Sequence, residues 1–139
     1  MDRTVVIIGI GIDAVEIERF RQSLERTASL KDRLFTAEEL SYVQPQVDPS
    51  ASLAARFAAR EAVMKALGVG LGAFDFHDVS VCRASSGQPD LLVVGRAQQL
   101  ATDQGITHWY LSLTHTESTA MAYVIAVGVL ERSVSEGEQ

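Results

Sequence analysis

The sequence contains a single cysteine, Cys82, among its 139 residues. One cysteine excludes an internal disulfide bond and a metal cluster of the cysteine type. No apolar run approaches the length of a bilayer span, and the first residues lack the basic and then apolar pattern of a signal peptide. These absences predict a reducing, cytoplasmic environment and argue against a membrane protein.

Basic residues are in the minority, because 18 Asp and Glu outnumber 12 Lys and Arg and give a formal charge of −6. This balance argues against a general nucleic-acid-binding protein. The charge is uneven, since residues 19–33 contain five basic and two acidic side chains. Such a segment favours an acidic partner, although a solvated helix face is the commoner explanation.

Repeats and low-complexity segments are also missing, and the length predicts one domain over residues 1–139 with a frayed polar tail at 131–139. Strand and helix patterns alternate along the chain and end in two long strands joined by a tight turn. This order predicts an α+β fold in which a mainly antiparallel sheet packs with one long and several short helices. The predicted strands lie within 4–13, 77–83, 90–94, 108–116 and 118–130, and the predicted helices within 15–27, 36–43, 52–68 and 96–105. Thr36 and Glu39 have the spacing of a capping box, and Gly68 is the expected stop of the longest helix.

The first strand carries the most unusual local pattern, GIGID at residues 9–13. Alternation places Gly9, Gly11 and Asp13 on one face and the neighbouring isoleucines on the other, which we expect to pack the core. Glycine inside a strand marks close approach of a ligand or another backbone. Asp13 therefore has two interpretations, either the N-cap of the next helix or a functional carboxylate.

A second carboxylate, Glu61, lies in the apolar stripe of the longest helix, close to Phe57 and Met64. An ionised carboxylate that faces a core is costly unless it is paired or binds a cation. Lys65 is four residues further on and offers an ordinary helix-surface ion pair. Taken together, however, Asp13 and Glu61 indicate a hard divalent cation with oxygen ligands.

Three segments in this order and spacing resemble the holo-acyl-carrier-protein synthases, the small class of 4′-phosphopantetheinyl transferases: GIGIDAVEIERF, RFAAREAVMKALGVGLG and WYLSLTHTESTAMAYVIA. The resemblance covers the chain from about residue 5 to residue 128. Its two-part motif, GID followed by REAVMKA, is far more specific than a glycine-rich loop alone. The resemblance implies the fold of that family and a homotrimer with coenzyme sites between subunits.

The resemblance also implies roles for the residues of these motifs. Asp13 and Glu61 would bind Mg²⁺, and Lys65 would touch the phosphates of coenzyme A. Two departures accompany this match. Arg60 stands where the family often has Lys, and Val15 stands where the larger transferases carry a further acid, so that water is expected at that metal position.

The coenzyme site is implied to include residues from a later strand and a loop. Ser112, Thr114 and His115 would line it, and the loop with Gly70 and Gly72 would border it and permit close backbone approach. Arg56 is a plausible clamp for the 3′-phosphate. The proton acceptor stays open between Glu61, acting through a metal-bound water, and His115.

The implied reaction is attack by a serine hydroxyl of apo-acyl carrier protein on the β-phosphorus of coenzyme A, with adenosine 3′,5′-bisphosphate as the leaving group. It belongs to fatty acid and lipid biosynthesis. Arg19 and Arg26 lie two turns apart on the first helix and align with basic positions that the family uses to dock the acidic carrier. The alternatives are a non-catalytic module that binds coenzyme A or the carrier, and a metal-dependent phosphoesterase.

Overall fold

Five β-strands and five α-helices make up residues 2–132, which are the part of the chain that the computed structural model describes. The predicted α+β class is confirmed. In chain order the elements are β1 (Asp2–Glu16), α1 (Ile17–Arg26), α2 (Leu30–Leu34), α3 (Ala37–Val43), α4 (Ser50–Leu67), a 3₁₀ turn (Phe76–Asp78), β2 (Val79–Arg83), β3 (Pro89–Val93), α5 (Gly95–Asp103), β4 (His108–His115) and β5 (Thr119–Arg132).

The strands form two antiparallel sheets rather than one. The larger sheet has the order β1-β5-β4. Strand β5, the longer strand of the β4-β5 hairpin, therefore lies in its centre. The register pairs Asp13 with Ala122 and Ala122 with Leu113, which fixes the face that each residue shares. The β2-β3 hairpin forms a separate two-stranded sheet.

Helix α4 is the centre of the core, because 13 of its 18 residues are buried. One side packs on β1 and β5, and the other side faces α1 and β2. Its many alanines let these elements come close to the helix axis. The predicted stop is confirmed, since Gly68 adopts φ +72° and donates its N–H to the Lys65 carbonyl oxygen at 3.1 Å.

The glycines of β1 face α4 at the distance of direct backbone contact. A Cβ added at Gly11 would lie 2.7 Å from the carbonyl carbon of Ala62, and one at Gly9 would lie 2.9 Å from that of Ala66. The two contacts repeat because four helix residues rise about 6 Å and two strand residues about 6.6 Å. The glycines therefore accommodate another backbone, which is the second of the two alternatives that glycine in a strand predicts.

The prediction that the isoleucine face packs the core is also wrong. Ile10 and Ile12 are 56% and 55% exposed, and only Ile8, next to an irregularity in the β1–β5 register, packs partly against the core. The backbone of α4 needs a surface without side chains, so it occupies the glycine face and leaves the isoleucines outside. We call the outer surface formed by Ile10, Ile12, Tyr110, Tyr123 and Ile125 the open sheet face.

The remaining differences between the predicted and the observed structure concern where helices and strands begin and end. Strand β1 pairs with β5 as far as Glu16, so α1 begins at Ile17 and Asp13 is not its N-cap. The short helix α2 was not predicted, whereas Thr36 forms the predicted capping box with Glu39. Strand β5 continues to Arg132, two residues into the expected tail, and residues 133–139 lie outside the described residues. No helix within residues 2–132 has the length and hydropathy to span a bilayer.

Candidate active site

Asp13 and Lys65 join β1 to the last turn of α4. The Lys65 Nζ donates to Asp13 Oδ1 at 3.1 Å and to the Ile12 carbonyl oxygen at 2.8 Å. The Asp13 side chain is 18% exposed and that of Lys65 is 55% exposed. Asp13 reaches this position because it follows Gly11 by two residues on the face that packs against α4. The glycine contacts thus fix where the carboxylate meets the helix.

Glu61 is half-buried one turn before Lys65 on the same helix. Burial raises the pKa of Glu61, the charge of Asp13 raises it further, and the charge of Lys65 lowers it. Lys65 pairs with Asp13, and an ion pair with Glu61, its neighbour four residues before, is absent from residues 2–132. The ordinary helix-surface pair is therefore not formed, and the charge of Lys65 acts on Glu61 without a direct contact.

The donor set of this cluster fits Mg²⁺. This ion binds through one or two carboxylates and keeps waters or phosphate oxygens in its other positions. Asp13 and Glu61 provide two carboxylates, and the pKa of Glu61 is raised first by burial and then by the charge of Asp13. No group of three or more His, Cys, Asp and Glu side chains converges within the described residues, so two carboxylates are what this chain offers at the site.

Ser112 and Thr114 lie on the opposite side of the large sheet from Asp13. Asp13 shares the α4 side with Ala122 and Leu113, so the alternate residues of β4 face away from the helix. Both Ser112 and Thr114 are exposed there and border the open sheet face. Within one copy of the chain they do not join the carboxylate cluster.

His115 ends β4 on the same side of the sheet as Asp13. It pairs with Ala120, which pairs with Val15, so it lies two strands from β1, at about 10 Å. The His115 Nδ1 is 3.2 Å from the Thr116 carbonyl oxygen. Because a carbonyl only accepts, Nδ1 carries the proton in this contact, and Nε2 of the neutral ring is left as an acceptor.

Arg56 faces a different part of the molecule. Five residues separate it from Glu61, which is a rotation of about 140° around the helix. Arg56 is 2% exposed, and its NH1 donates to the Ser52 carbonyl oxygen at 3.2 Å. The structure therefore does not bring Arg56 to the Asp13–Glu61 cluster of its own chain.

Gly70 and Gly72 lie in the exposed loop that leaves α4 at its Lys65 end. A Cβ at either position would meet nothing within 4 Å, and Gly72 has φ +93°. The loop is therefore near the cluster, and the space beside the α-carbon of each of these two glycines is open.

The basic residues of α1, Arg19 and Arg26, are both exposed. The same helix carries two acids, Glu18 and Glu25, that could pair with them. Glu18 instead pairs with Arg21, and neither Arg19 nor Arg26 forms an ion pair with any residue between 2 and 132. Their charges are available at the surface.

A buried ion pair beside the cluster was missed from the sequence. Arg60 and Glu39 are 0% and 2% exposed, and Arg60 NH1 donates to Glu39 Oε2 at 3.0 Å. Burial favours the neutral acid, but the hydrogen bonds and charge of Arg60 prevail and lower the pKa of Glu39. Glu39 also accepts from the Val81 N–H at 3.0 Å, and Arg60 Nε donates to the Phe76 carbonyl oxygen at 2.9 Å. This network anchors α4 at the residue before Glu61.

Comparison with known proteins gives consistent matches over most of the chain. Residues 9–127 match the family model described as the 4′-phosphopantetheinyl transferase superfamily. The chain is 44% identical over 126 residues to the holo-acyl-carrier-protein synthase of Moorella thermoacetica, covering 91% of this chain and 95% of that protein. It is 48% identical over 122 residues to the synthase of Streptomyces avermitilis, with 88% and 98% covered.

Solved structures of holo-acyl-carrier-protein synthases also superpose on this chain. The crystal structure of holo-acyl-carrier-protein synthase from Neisseria meningitidis superposes with a TM-score of 0.79 at 32% identity, covering 87% of this chain and 98% of that one. The Bacillus anthracis synthase, described as a complex with CoA (3′,5′-ADP), superposes with a TM-score of 0.73 at 29% identity, with 88% and 97% covered.

Proposed function

The chain belongs to the 4′-phosphopantetheinyl transferase superfamily, and from that premise we propose that it is a holo-acyl-carrier-protein synthase. It transfers the 4′-phosphopantetheine group of coenzyme A to a serine of apo-acyl carrier protein and releases adenosine 3′,5′-bisphosphate. The observation that carries this proposal is the cluster of Asp13, Glu61 and Lys65, at which two carboxylates and an ammonium group meet beside an exposed glycine loop.

The two carboxylates support a dependence of the reaction on Mg²⁺. Two like charges about 4 Å apart repel by about 4 kcal/mol at an effective dielectric constant of about 20, so bare acids would repel a pyrophosphate. When bound, Mg²⁺ supplies the positive charge that lets carboxylates and phosphates share one site. Asp13 and Glu61 are the residues that would hold it.

Lys65 acts on the phosphates rather than on the metal ligands. Its side chain is 55% exposed, so the ammonium group is free to turn from Asp13 toward a bound pyrophosphate. There it stabilises the charge that grows on the departing phosphate. Glu61 and His115, the latter through Nε2, are the two candidates to accept the serine proton.

The enzyme assembles as a homotrimer with its coenzyme sites between subunits. The open sheet face supports this proposal, because a contiguous apolar surface of that kind is typical of an interface. Ser112 and Thr114 border it, so they would meet coenzyme A held by the Asp13–Glu61 cluster of another copy. Arg56 would likewise clamp a 3′-phosphate presented by a second copy, and Gly70 and Gly72 would admit the coenzyme close to the backbone.

Arg19 and Arg26 dock the acidic carrier. Both side chains are exposed on one face of α1 and lack ion pairs within residues 2–132, which supports a role toward a partner. The proposed compartment is the cytoplasm and the proposed pathway is fatty acid and lipid biosynthesis.

One experiment separates this function from the two alternatives. The protein is incubated with coenzyme A, Mg²⁺ and apo-acyl carrier protein, and the carrier is weighed by mass spectrometry. We expect a gain of one phosphopantetheine group, abolished by Asp13→Asn or Glu61→Gln and unchanged by Asp103→Asn at the exposed end of α5. Binding of coenzyme A without a heavier carrier would indicate a non-catalytic module, and phosphate release without a carrier would indicate a phosphoesterase.

A further inference from the structure

Arg21 lies on a different side of α1 from the two arginines proposed to dock the carrier. It follows Arg19 by two residues and precedes Arg26 by five, which correspond to rotations of about 200° and about 140° around the helix. The Arg21 side chain is 33% exposed, whereas Arg19 and Arg26 are both fully at the surface. Arg21 is therefore turned away from the surface that the other two arginines share.

The contacts of Arg21 join α1 to the loop that precedes α4. Its NH2 donates to Asp48 Oδ2 at 2.8 Å, and its NH1 donates to Glu18 Oε2 one turn earlier on α1. The second oxygen of Asp48, Oδ1, accepts from the N–H of Ser50 at 3.0 Å, and Ser50 is the first residue of α4. One carboxylate thus receives a hydrogen bond from each of the two helices.

This contact supplies direction more than stability. Hydrogen bonds from Ser50 and then from Arg21 lower the pKa of Asp48 to about 2, so the carboxylate is ionised at neutral pH. Both side chains are partly exposed, and such ion pairs add little to the stability of a fold. A planar guanidinium nevertheless donates along fixed lines, so its partner determines how the helix that carries it is oriented.

The apolar contacts of α1 hold the helix without fixing its direction. Ile17 and Phe20 are its buried residues, and both lie within its first four positions. The ring of Phe20 meets the ring of Phe57 on α4 with centroids 5.3 Å apart, and Leu24 packs partly against the same cluster. Apolar burial is not directional, so these contacts attach α1 to α4 but leave its angle to the polar contact.

We propose that Arg21 and Asp48 are positioning residues that set the direction of α1 relative to α4. In this role, which rests on the proposed function, they act through the docked carrier. Helix α1 carries the proposed docking arginines, and α4 carries Glu61 and Lys65. The angle between the helices then determines where the serine of a docked carrier lies relative to the reacting phosphorus, and small errors in such a position lower the rate.

The charge of Asp48 separates positioning from simple attraction. Asp48→Asn removes one negative charge beside a helix proposed to dock an acidic carrier, and it releases Arg21. If charge alone governed docking, this variant would use the carrier more efficiently than the parent. If the contact positions α1, the same variant should use the carrier less efficiently. The two explanations therefore predict changes of opposite sign.

The test compares the parent with Asp48→Asn, with Arg21→Gln and with the double variant, which keeps the net charge of the parent. The rate of carrier modification is followed by mass spectrometry over a range of carrier concentrations at saturating coenzyme A and Mg²⁺. Binding of coenzyme A is measured separately by calorimetry without carrier. Glu131→Gln is the matched control, because Glu131 pairs with Arg3 at 3.3 Å in an exposed ion pair at the end of the large sheet away from α1.

We expect kcat/KM for the carrier to fall about twofold to fivefold in Asp48→Asn, the range for loss of an exposed ion pair. The double variant should fall by a similar factor, because both changes remove the same contact. Binding of coenzyme A should stay unchanged in all variants, and Glu131→Gln should match the parent.

Three results would overturn the proposal. They are a higher kcat/KM in Asp48→Asn, a double variant equal to the parent, and a loss that disappears once rates are corrected for the folded fraction measured in the same buffer. A parent that modifies the carrier while its variants behave alike refutes positioning alone. A parent that adds no phosphopantetheine to the carrier refutes the proposed function, and the positioning role with it.

Discussion

Replacing Gly11 with alanine tests whether backbone contact between β1 and α4 builds the site. The new Cβ would lie 2.7 Å from the Ala62 carbonyl carbon and closer still to its oxygen. Carbon atoms pack best at about 3.5–4.0 Å, so the helix or the strand must move by about 1 Å. Both neighbours are backbone in a paired strand and a buried helix, and neither can rotate away.

The expected loss follows from these contacts. Overpacking costs about 1–3 kcal/mol, and a clash with backbone belongs at the upper end of that range. Reduced freedom of the unfolded chain returns about 0.4–1 kcal/mol. We therefore expect the free energy of unfolding to fall by about 2 kcal/mol, which lowers the urea midpoint by about 1 M.

Gly70→Ala is the matched control. A Cβ there meets nothing within 4 Å, so its stability should stay within about 1 kcal/mol of the parent. Both variants are unfolded in urea at one protein concentration, because assembly alone shifts the transition. If Gly11→Ala and Gly70→Ala unfold at the same urea concentration, the close contact does not hold strand and helix together.

Three further predictions concern side chains. Lys65→Ala should lower kcat more than it raises the KM for coenzyme A, because its charge acts most on the transition state; an effect on KM alone would make Lys65 a ground-state binder. Arg19→Glu with Arg26→Glu should raise the KM for the carrier strongly, leave that for coenzyme A unchanged and weaken the salt dependence; an unchanged carrier KM would move docking elsewhere. Glu39→Gln should lower the free energy of unfolding by about 3–5 kcal/mol, since it leaves a buried guanidinium unpaired, and a loss below 1 kcal/mol in urea would contradict that account.

A fourth prediction concerns pH in metal-free buffer. The pKa of Glu61 is raised in the folded protein, so its ionisation destabilises the fold as pH rises above its unfolded value of about 4.3. Glu61→Gln removes this penalty and should gain stability relative to the parent between pH 4 and pH 7. If the difference in stability between Glu61→Gln and the parent is the same at pH 4 and at pH 7, Glu61 is not buried against Asp13.

The fold class and the local signals were predictable because they depend on short-range patterns. Thr36 and Glu39 form the capping box that their spacing predicts, and Gly68 ends α4 as expected. The outward position of Ile10 was not predictable, because it depends on a helix about fifty residues away that takes the glycine face. The ion pair of Glu39 with Arg60 was missed for the same reason, since Arg60 lies 21 residues further along the chain.

The site was partly predictable. The motifs identified Asp13, Glu61 and Lys65, and these three meet across β1 and α4. The sequence proposed Arg56 as a phosphate clamp from its place one turn before Arg60. The side of the helix on which Arg56 lies follows only from the packing of α4 between two layers. Pairing of Lys65 with Asp13 instead of Glu61 likewise required the strand to be in place.

The pairing of β1 with β5 also determines when the protein can fold during its synthesis. The first strand leaves the ribosome about a hundred residues before its partner, which begins at Thr119. At about 5–20 residues per second, β1 waits about 5–20 s without its neighbour. Throughout this time its apolar edge is open to chaperones and to other nascent chains. Pairing of β1 with β5 closes a long loop, and chain entropy is lost before most contacts are gained. This loss slows the pairing of the two strands.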